Sequence, residues 1–263
     1  MTSHDLSAVD KLRLQAGWNQ RKSDWQRLLD YQPEGCFVAC AHDEIVGTVT
    51  TTSYDTTLAW IGMMLVHTAH RRQGIATMLM RRAMDFLQKN VVTCIKLDAT
   101  PDGEHVYRKL GFQPEWTFHR WTRSPEQTPV FTQQPQSRFE YADLDATAFG
   151  VDRRRWLQSV AKDSWWISQG DAFGMVRPGV NATYLGPIVA PDHTIASELV
   201  SALLLRCAGA VIWDIPSPNV AAEKLAHAHG FAPVRKLTRM WLGSNIVKPD
   251  LQRQFAMVDP ATG

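Results

Sequence analysis

The feature that most constrains this sequence is that its second half repeats the order of its first. The run Trp60-Ile61-Gly62-Met63-Met64-Leu65-Val66 is matched by Tyr184-Leu185-Gly186-Pro187-Ile188-Val189-Ala190. A helical apolar face that begins at Ile75 is matched by one that begins at Ile195. Leu97-Asp98 is matched by Trp213-Asp214, and Gly111-Phe112-Gln113-Pro114 by Gly230-Phe231-Ala232-Pro233. Arg120 follows Gly111 by nine residues, and Arg239 follows Gly230 by nine. So many matches in one order imply an internal duplication, and the spacing within each copy reads as a β-β-β-α-β-α-β unit.

Finer patterning fills in the copies. Leu6, Val9 and Leu12 mark one face of a first helix that Gly17 can end. Ser23 followed by Gln26 predicts a capping box opening a second helix with Trp25, Leu28 and Leu29. Strands are expected at 37–41 and 45–52, with a turn at Asp43-Glu44, then at Leu58 to Val66 and at Ile95 to Ala99. A short helix from His105 to Leu110 is closed by Gly111. Between Thr122 and Ser137 the periodicity stops, and Pro125, Pro129 and Pro135 stand among Gln, Thr and Ser. The division that follows is an N-terminal domain at 1–122, a linker at 123–137, a second domain at 138–243 and a C-terminal tail at 244–263.

Composition narrows the function classes. A chain of 263 residues fits two ordinary domains, and 44% hydrophobic with 21% charged residues is that of a soluble globular protein. A net charge of +2 gives no electrostatic case for nucleic acid or membrane partners, so neither is expected. No run approaches the roughly 20 apolar residues of a membrane span. Met1 to Asp10 lacks the apolar core of a signal peptide, which points to the cytoplasm. Cys36, Cys40, Cys94 and Cys207 form no C-x-x-C pair and read as small buried hydrophobes. His67-x-x-His70 reads as surface, because no further ligands converge on it, and no metal is expected.

The chemistry concentrates at His70-Arg71-Arg72-Gln73-Gly74-Ile75-Ala76, between a strand and a helix. The first amides of a helix have no internal partners and lie at the positive end of its dipole, which makes an anion site. Gly74 lets the main chain approach a ligand, small Ala76 serves the same end, and Arg71 and Arg72 add positive charge. A diphosphate suits such a loop; a basic surface turn is the plainer alternative. The preceding strands run as a meander, which is not the βαβ setting of a dinucleotide fingerprint.

With these residues the chain resembles the GNAT superfamily of N-acetyltransferases. Arg71-x-x-Gly74-x-Ala76, after the strand ending at Val66, is similar to that superfamily's pyrophosphate loop. Tyr107, four residues before Gly111-Phe112, is similar to its second signature. Gly17-Trp18-Asn19-Gln20 and Leu97-Asp98-Ala99-Thr100-Pro101 resemble bacterial proteins carrying two GNAT domains in tandem. The resemblance implies an α/β (α+β) chain of two GNAT-like domains, each a mixed, mostly antiparallel sheet flanked by helices. It implies acetyl-CoA as cosubstrate, and a primary amine, on a small molecule or a peptide, as acceptor. Two departures stand out. Only Met1 to His4 is available for the strand that normally precedes the first helix, and Thr100 replaces the asparagine usual seven residues before the tyrosine.

The same resemblance distributes roles. Met64, Leu65 and Val66 would pair by main chain with the pantetheine arm, and Arg71, Arg72, Gln73, Gly74, Ile75 and Ala76 would hold the diphosphate. Tyr107 would protonate the leaving thiolate, a phenol near pKa 10 serving a thiol near 8.5. No carboxylate or histidine lies between Leu58 and Val66, so Asp98, Glu34 and Asp55 remain as bases; Asp214 repeats Asp98, which favours a structural role for both. Trp18, Asn19 and Gln20, with Trp25 nearby, fall where relatives line the acceptor site, or else form a packed helix hairpin. The second copy is expected to bind no cofactor. Gly62 to Ile75 spans 13 positions but Gly186 to Ile195 only 9; Pro191-Asp192-His193-Thr194 replaces the basic loop, and Ala226 the tyrosine. A fold that only binds acyl-CoA without turnover stays open, as does a homodimer.

Overall fold

The computed structural model describes residues 1–124, 139, 143–207 and 209–263, so most of the expected linker, 125–137, lies outside the described residues. The first copy runs α1 (Leu6–Gln15), α2 (Lys22–Tyr31), β1 (Cys36–Ala41), β2 (Glu44–Ser53), β3 (Leu58–Val66), α3 (Ile75–Lys89), β4 (Cys94–Ala99), α4 (Pro101–Lys109) and β5 (Gln113–Arg123). The second runs α5 (Asp143–Phe149), α6 (Arg154–Ala161), β6 (Trp165–Gln169), β7 (Ala172–Pro178), β8 (Thr183–Val189), α7 (His193–Leu204), β9 (Val211–Pro216), α8 (Val220–Ala228) and β10 (Ala232–Gly243), followed by β11 (Gln254–Ala256). The duplication is therefore complete, two helices included.

The two copies share one mixed sheet, ordered β1-β2-β3-β4-β10-β5-β9-β8-β7-β6, with β11 beside β8. Each copy's last strand has crossed into the other: β10 pairs with β4, and β5 with β9. The repeated Asp and Arg fasten the exchange on both sides. Arg239 lies opposite Asp98 and holds both its carboxylate oxygens at 2.9 Å. Arg120 lies opposite Asp214 and holds it at 2.8 and 2.7 Å. Each aspartate thus finds its arginine on the other copy's strand.

Packing fixes the element that matters most for the site. Leu79, Met80, Ala83 and Leu87 line one face of α3 and bury it against Val49, Ala59, Ile61, Ile95 and Leu97 of the sheet, while Arg81, Arg82, Asp85 and Gln88 face solvent. Each fully buried side chain of leucine size contributes about 1.5–3 kcal/mol. That packing holds the N-terminus of α3 at the end of β3.

Several local expectations need correction. α2 starts at Lys22, and the Asp24 carboxylate, not Gln26, satisfies the chain at its N-terminus by accepting from Arg21 N–H at 2.7 Å. The β1–β2 turn is His42-Asp43, both at positive φ. α4 begins at Pro101, four residues early, because the Thr100 hydroxyl caps it by accepting from Gly103 N–H at 3.1 Å. Met1 to His4 forms no strand; it leads into a 3-10 turn at Ser3–Asp5. Cys36, Cys94 and Cys207 are buried and free, but Cys40 is exposed. No helix among the described residues is long and apolar enough to cross a membrane.

The stretch read as a tail is interior. Phe255 to Asp259 and Ala261 to Gly263 are buried. Asp259 pairs with the buried Arg177, Trp60 Nε1 donates to Pro260 O at 3.3 Å, and the Tyr54 hydroxyl donates to Thr262 O.

Candidate active site

β3 and β4 run parallel and pair only from Leu58 to Trp60, against Cys94 to Lys96. Beyond Trp60 they diverge, while β3 keeps β2 on its other side as far as Val66. The β4-facing edge of Gly62 to Val66 therefore has no strand partner among the described residues. A bulge sharpens the split. The β2–β3 register shifts between Thr48 and Thr50, Met63 sits at φ +50°, and the Thr48 hydroxyl donates to Met63 O at 2.8 Å. Holding that carbonyl toward β2 turns the following main chain toward the gap.

At the open end of the gap stands α3. Gly74, at φ +83°, is its N-cap and offers no side chain. The first helical bond runs from Met78 N–H to Gly74 O, so the amides of Ile75, Ala76 and Thr77 have no partner within the helix. Arg71, Arg72 and Gln73 are exposed beside them; Arg71 Nε donates to Val66 O at 3.4 Å and ties the loop to the end of β3. The structure thus brings Met64, Leu65 and Val66 together with Arg71 to Ala76: an open strand edge leads to a basic loop and the bare amides of a helix N-terminus.

Tyr107, on α4, packs edge-on to Phe112 at 6.2 Å and against the α3-side cluster. Burial pushes its phenol up to about 12, so the group is protonated at neutral pH. Asp98 is elsewhere. Its carboxylate is fully buried, with both oxygens on Arg239. Burial lifts it to about 6 against the opposing effect of Arg239. With no exposed surface the carboxylate is out of reach of an incoming amine, and the structure gives Asp98 the cross-copy ion pair in place of the base role. Among the other carboxylates weighed, Asp55 is taken up by Thr57 N–H and Leu58 N–H at 2.6 and 3.0 Å.

The acceptor residues divide. Asn19 is spent on the second copy: its Oδ1 accepts from Asn181 and Ala182 N–H at 2.7 and 2.9 Å, and its Nδ2 donates to Ala182 O at 2.9 Å. It is a joint between copies and not a free substrate contact. Trp18 is half-buried against the helical cluster, and Trp25 is fully buried within it. Gln20, by contrast, lines a small cavity with Met63, Asp24 and Leu28 from its own copy and Trp156, Asp259, Ala261 and Thr262 from the second. The residues from 156 and 259–262 were missed in the sequence. His67 and His70 stack edge-on at the surface, His67 Nε2 lies 2.9 Å from Gln15 Nε2, and no group of three or more metal-ligating side chains gathers among the described residues.

The second copy has the same gap in another state. β8 pairs with β9 only from Thr183 to Leu185, then diverges. Asp192 caps α7, accepting from Ile195 N–H at 3.0 Å, so a carboxylate stands where α3 has a bare N-terminus. The gap itself holds β11, which pairs with Ile188 and Val189 of β8, while Met257 N–H donates to Asp214 O of β9 at 3.0 Å.

With this geometry in hand, comparison with known proteins is decisive. The GNAT-family acetyltransferase model matches residues 6–112, and a second acetyltransferase (GNAT) domain model matches 141–256. The chain belongs to the GNAT acetyltransferases. It is a tandem protein of that family, with one GNAT domain in each copy. Among curated proteins it is similar to the uncharacterized N-acetyltransferase YitH of Bacillus subtilis, 24% identical over 255 residues covering 87% of this chain and 86% of that one. It is also similar to the holothin acyltransferase of a Pseudoalteromonas species, 23% identical over 249 residues covering 89% and 84%. Among solved structures, a candidate acetyltransferase from Pyrococcus horikoshii superposes with a TM-score of 0.85 at 26% identity, over all of this chain and 94% of that one. A tandem GNAT protein from the clavulanic acid pathway superposes at 0.61, with 14% identity, over 91% and 95%.

Proposed function

We propose that this tandem GNAT protein is an acetyl-CoA-dependent N-acetyltransferase that acetylates a primary amine in the cytoplasm, with one cosubstrate site, in the first copy. The observation that carries the reading is the continuous track from the free edge of β3 at Gly62–Val66 to the bare N-terminus of α3. Arg71 to Ala76 hold the diphosphate, and Met64 to Val66 pair with the pantetheine amides as a further strand would. A main-chain amide after the Met63 bulge faces the thioester oxygen and stabilises the charge that develops there. In the transfer the amine nitrogen bonds to the acyl carbon and the carbon–sulfur bond breaks; the sulfur gains a proton from Tyr107, and the proton that the nitrogen loses passes to solvent, from which Tyr107 is reprotonated.

Calorimetry tests the site. The wild-type chain should bind acetyl-CoA with one site per chain, because β11 fills the second gap. Gly74→Glu places an anion at the diphosphate and should weaken binding by at least about tenfold. Unchanged affinity in that variant, or two sites per chain, would remove this assignment.

Thiol release over an amine panel tests the reaction. Tyr107→Phe should leave acetyl-CoA affinity within about twofold and slow turnover by about 10²-fold. Because burial raises the phenol to about 12, wild-type turnover should show no loss near pH 10 from ionisation of this group. Full turnover by Tyr107→Phe across pH would take the tyrosine out of the mechanism. Tight binding with no release from any amine would leave a protein that only binds acyl-CoA.

A further inference from the structure

Gly62 and Gly186, at matching positions in the two copies, are both crossed by the segment that follows β10. A Cβ on Gly186 would lie 2.2 Å from Met257 O, and one on Gly62 would lie 2.2 Å from Ala261 O. The segment is anchored in the second gap, where β11 pairs with β8, Trp213 Nε1 donates to Phe255 O at 2.7 Å and Ala190 N–H donates to Arg253 O at 3.1 Å. It then crosses to β3. Asp259 fixes the crossing, its Oδ1 accepting from Ala261 N–H at 2.8 Å and from the Thr262 hydroxyl at 3.1 Å.

The crossing point coincides with the inner end of the first gap. An extended arm that starts at the α3 N-terminus and follows β3 from Val66 inward advances about 3.3 Å per residue. It must stop at Gly62–Met63, because β3 and β4 close together at Trp60 and Lys96. On the α3 side this vertex is filled by the buried side chains of Ala59, Ile61 and Leu97. On the opposite side stand Met63, Ala261 and Thr262, backed by a small cavity that Leu28 and Trp156 help to close.

We propose that the 257–262 segment is the stop that sets acyl length: with Met63, Ala261 closes the inner end of the gap, so that the site takes CoA thioesters of short acyl groups and rejects long ones. This rests on the reading of the gap as the acyl-CoA site. Selectivity then comes from the second copy's final segment, seated where that copy's own acyl-CoA arm would lie.

The test is calorimetry on the full chain with CoA, acetyl-CoA and hexanoyl-CoA. Acetyl-CoA should bind at least about tenfold more tightly than hexanoyl-CoA, the four added carbons having no room. Leu28→Ala enlarges the cavity behind the stop and should narrow that ratio by about threefold or more. Ala261→Leu thickens the stop and should weaken acetyl-CoA by about tenfold while leaving CoA, which has no acyl group, within about twofold. Equal affinity for the two thioesters, with CoA bound, overturns the stop and leaves the acyl-CoA site standing. So does a folded Ala261→Leu that keeps the acetyl-CoA to CoA ratio. If Ala261→Leu does not fold, the wild-type ratio and Leu28→Ala decide. A chain that binds no CoA at all overturns both readings.

Discussion

Arg239→Met should lower the melting temperature by about 10 °C. The arginine is buried on β10, where it holds both oxygens of Asp98 and lies 4.3 Å from the ring centres of Trp60 and Trp116. Its loss leaves a carboxylate with no exposed surface and no counter-ion. Removing one member of a buried pair costs about 3–5 kcal/mol, and a chain of this size loses roughly 2–4 °C per kcal/mol. The deficit should depend on pH. Burial lifts Asp98 to about 6 from 3.8 in the folded wild type, with Asp214 and Asp259 adding to the rise and Arg239 opposing it. A raised carboxyl favours folding while protonated, so its contribution is full below about pH 4 and is lost as pH climbs through 6. Without Arg239 the rise is greater and the loss extends to higher pH. The variant should therefore lie nearer the wild type at pH 5 than at pH 8. Scanning calorimetry at the two pH values decides, and a deficit under 2 °C, or one equal at both, would contradict the argument. Replacing the partner too, as Asp98→Leu with Arg239→Met, should restore much of the loss.

Gly62→Val should cost about as much, for a different reason. The new Cβ would lie 2.2 Å from Ala261 O, 2.8 Å from its Cα and 2.9 Å from its carbonyl carbon. Main chain faces main chain, with no flexible side chain to give way. Overpacking of this kind costs about 3 kcal/mol, or about 6–12 °C at this size. Gly17→Ala is the contrast. Gly17 has φ +64° with nothing within 4 Å of a Cβ, so only backbone strain of about 1 kcal/mol is expected. If the two variants melt within 2 °C of each other, the segment does not press on Gly62 as described.

The sequence was most legible where one local pattern fixes the outcome. The duplication, the extent of β3 and the start of α3 at Ile75 follow from periodicity and from the match of the copies. The basic loop was visible because helix-start chemistry is local, and Asp192 was readable as a cap for the same reason. What could not be read depends on distant pairing. Nothing within 113–123 or 232–243 says which copy's edge each strand will join, since both strands carry an arginine at the same offset and both aspartates accept it. Asn19 looked like a free acceptor residue because its partners, Asn181 and Ala182, lie far along the chain. Residues 244–263 lack a period and read as a tail; the one signal of their path was the pair of matched glycines, Gly62 and Gly186, where no side chain can stand.

The exchanged strands also bear on how the chain is made. When β4 and β5 have been synthesised, β10 has not, and β5 presents Arg120 to the same Asp98 that Arg239 finally holds. A nascent chain can therefore close its first copy upon itself, in a hairpin-like pairing that is local and fast. That pairing must open when residues 232–243 arrive, because β10 stands between β4 and β5 in the finished sheet. Two near-equivalent strands competing for one edge make a kinetic trap of the kind that slows duplicated chains, and the trap is released only once the second copy has been translated.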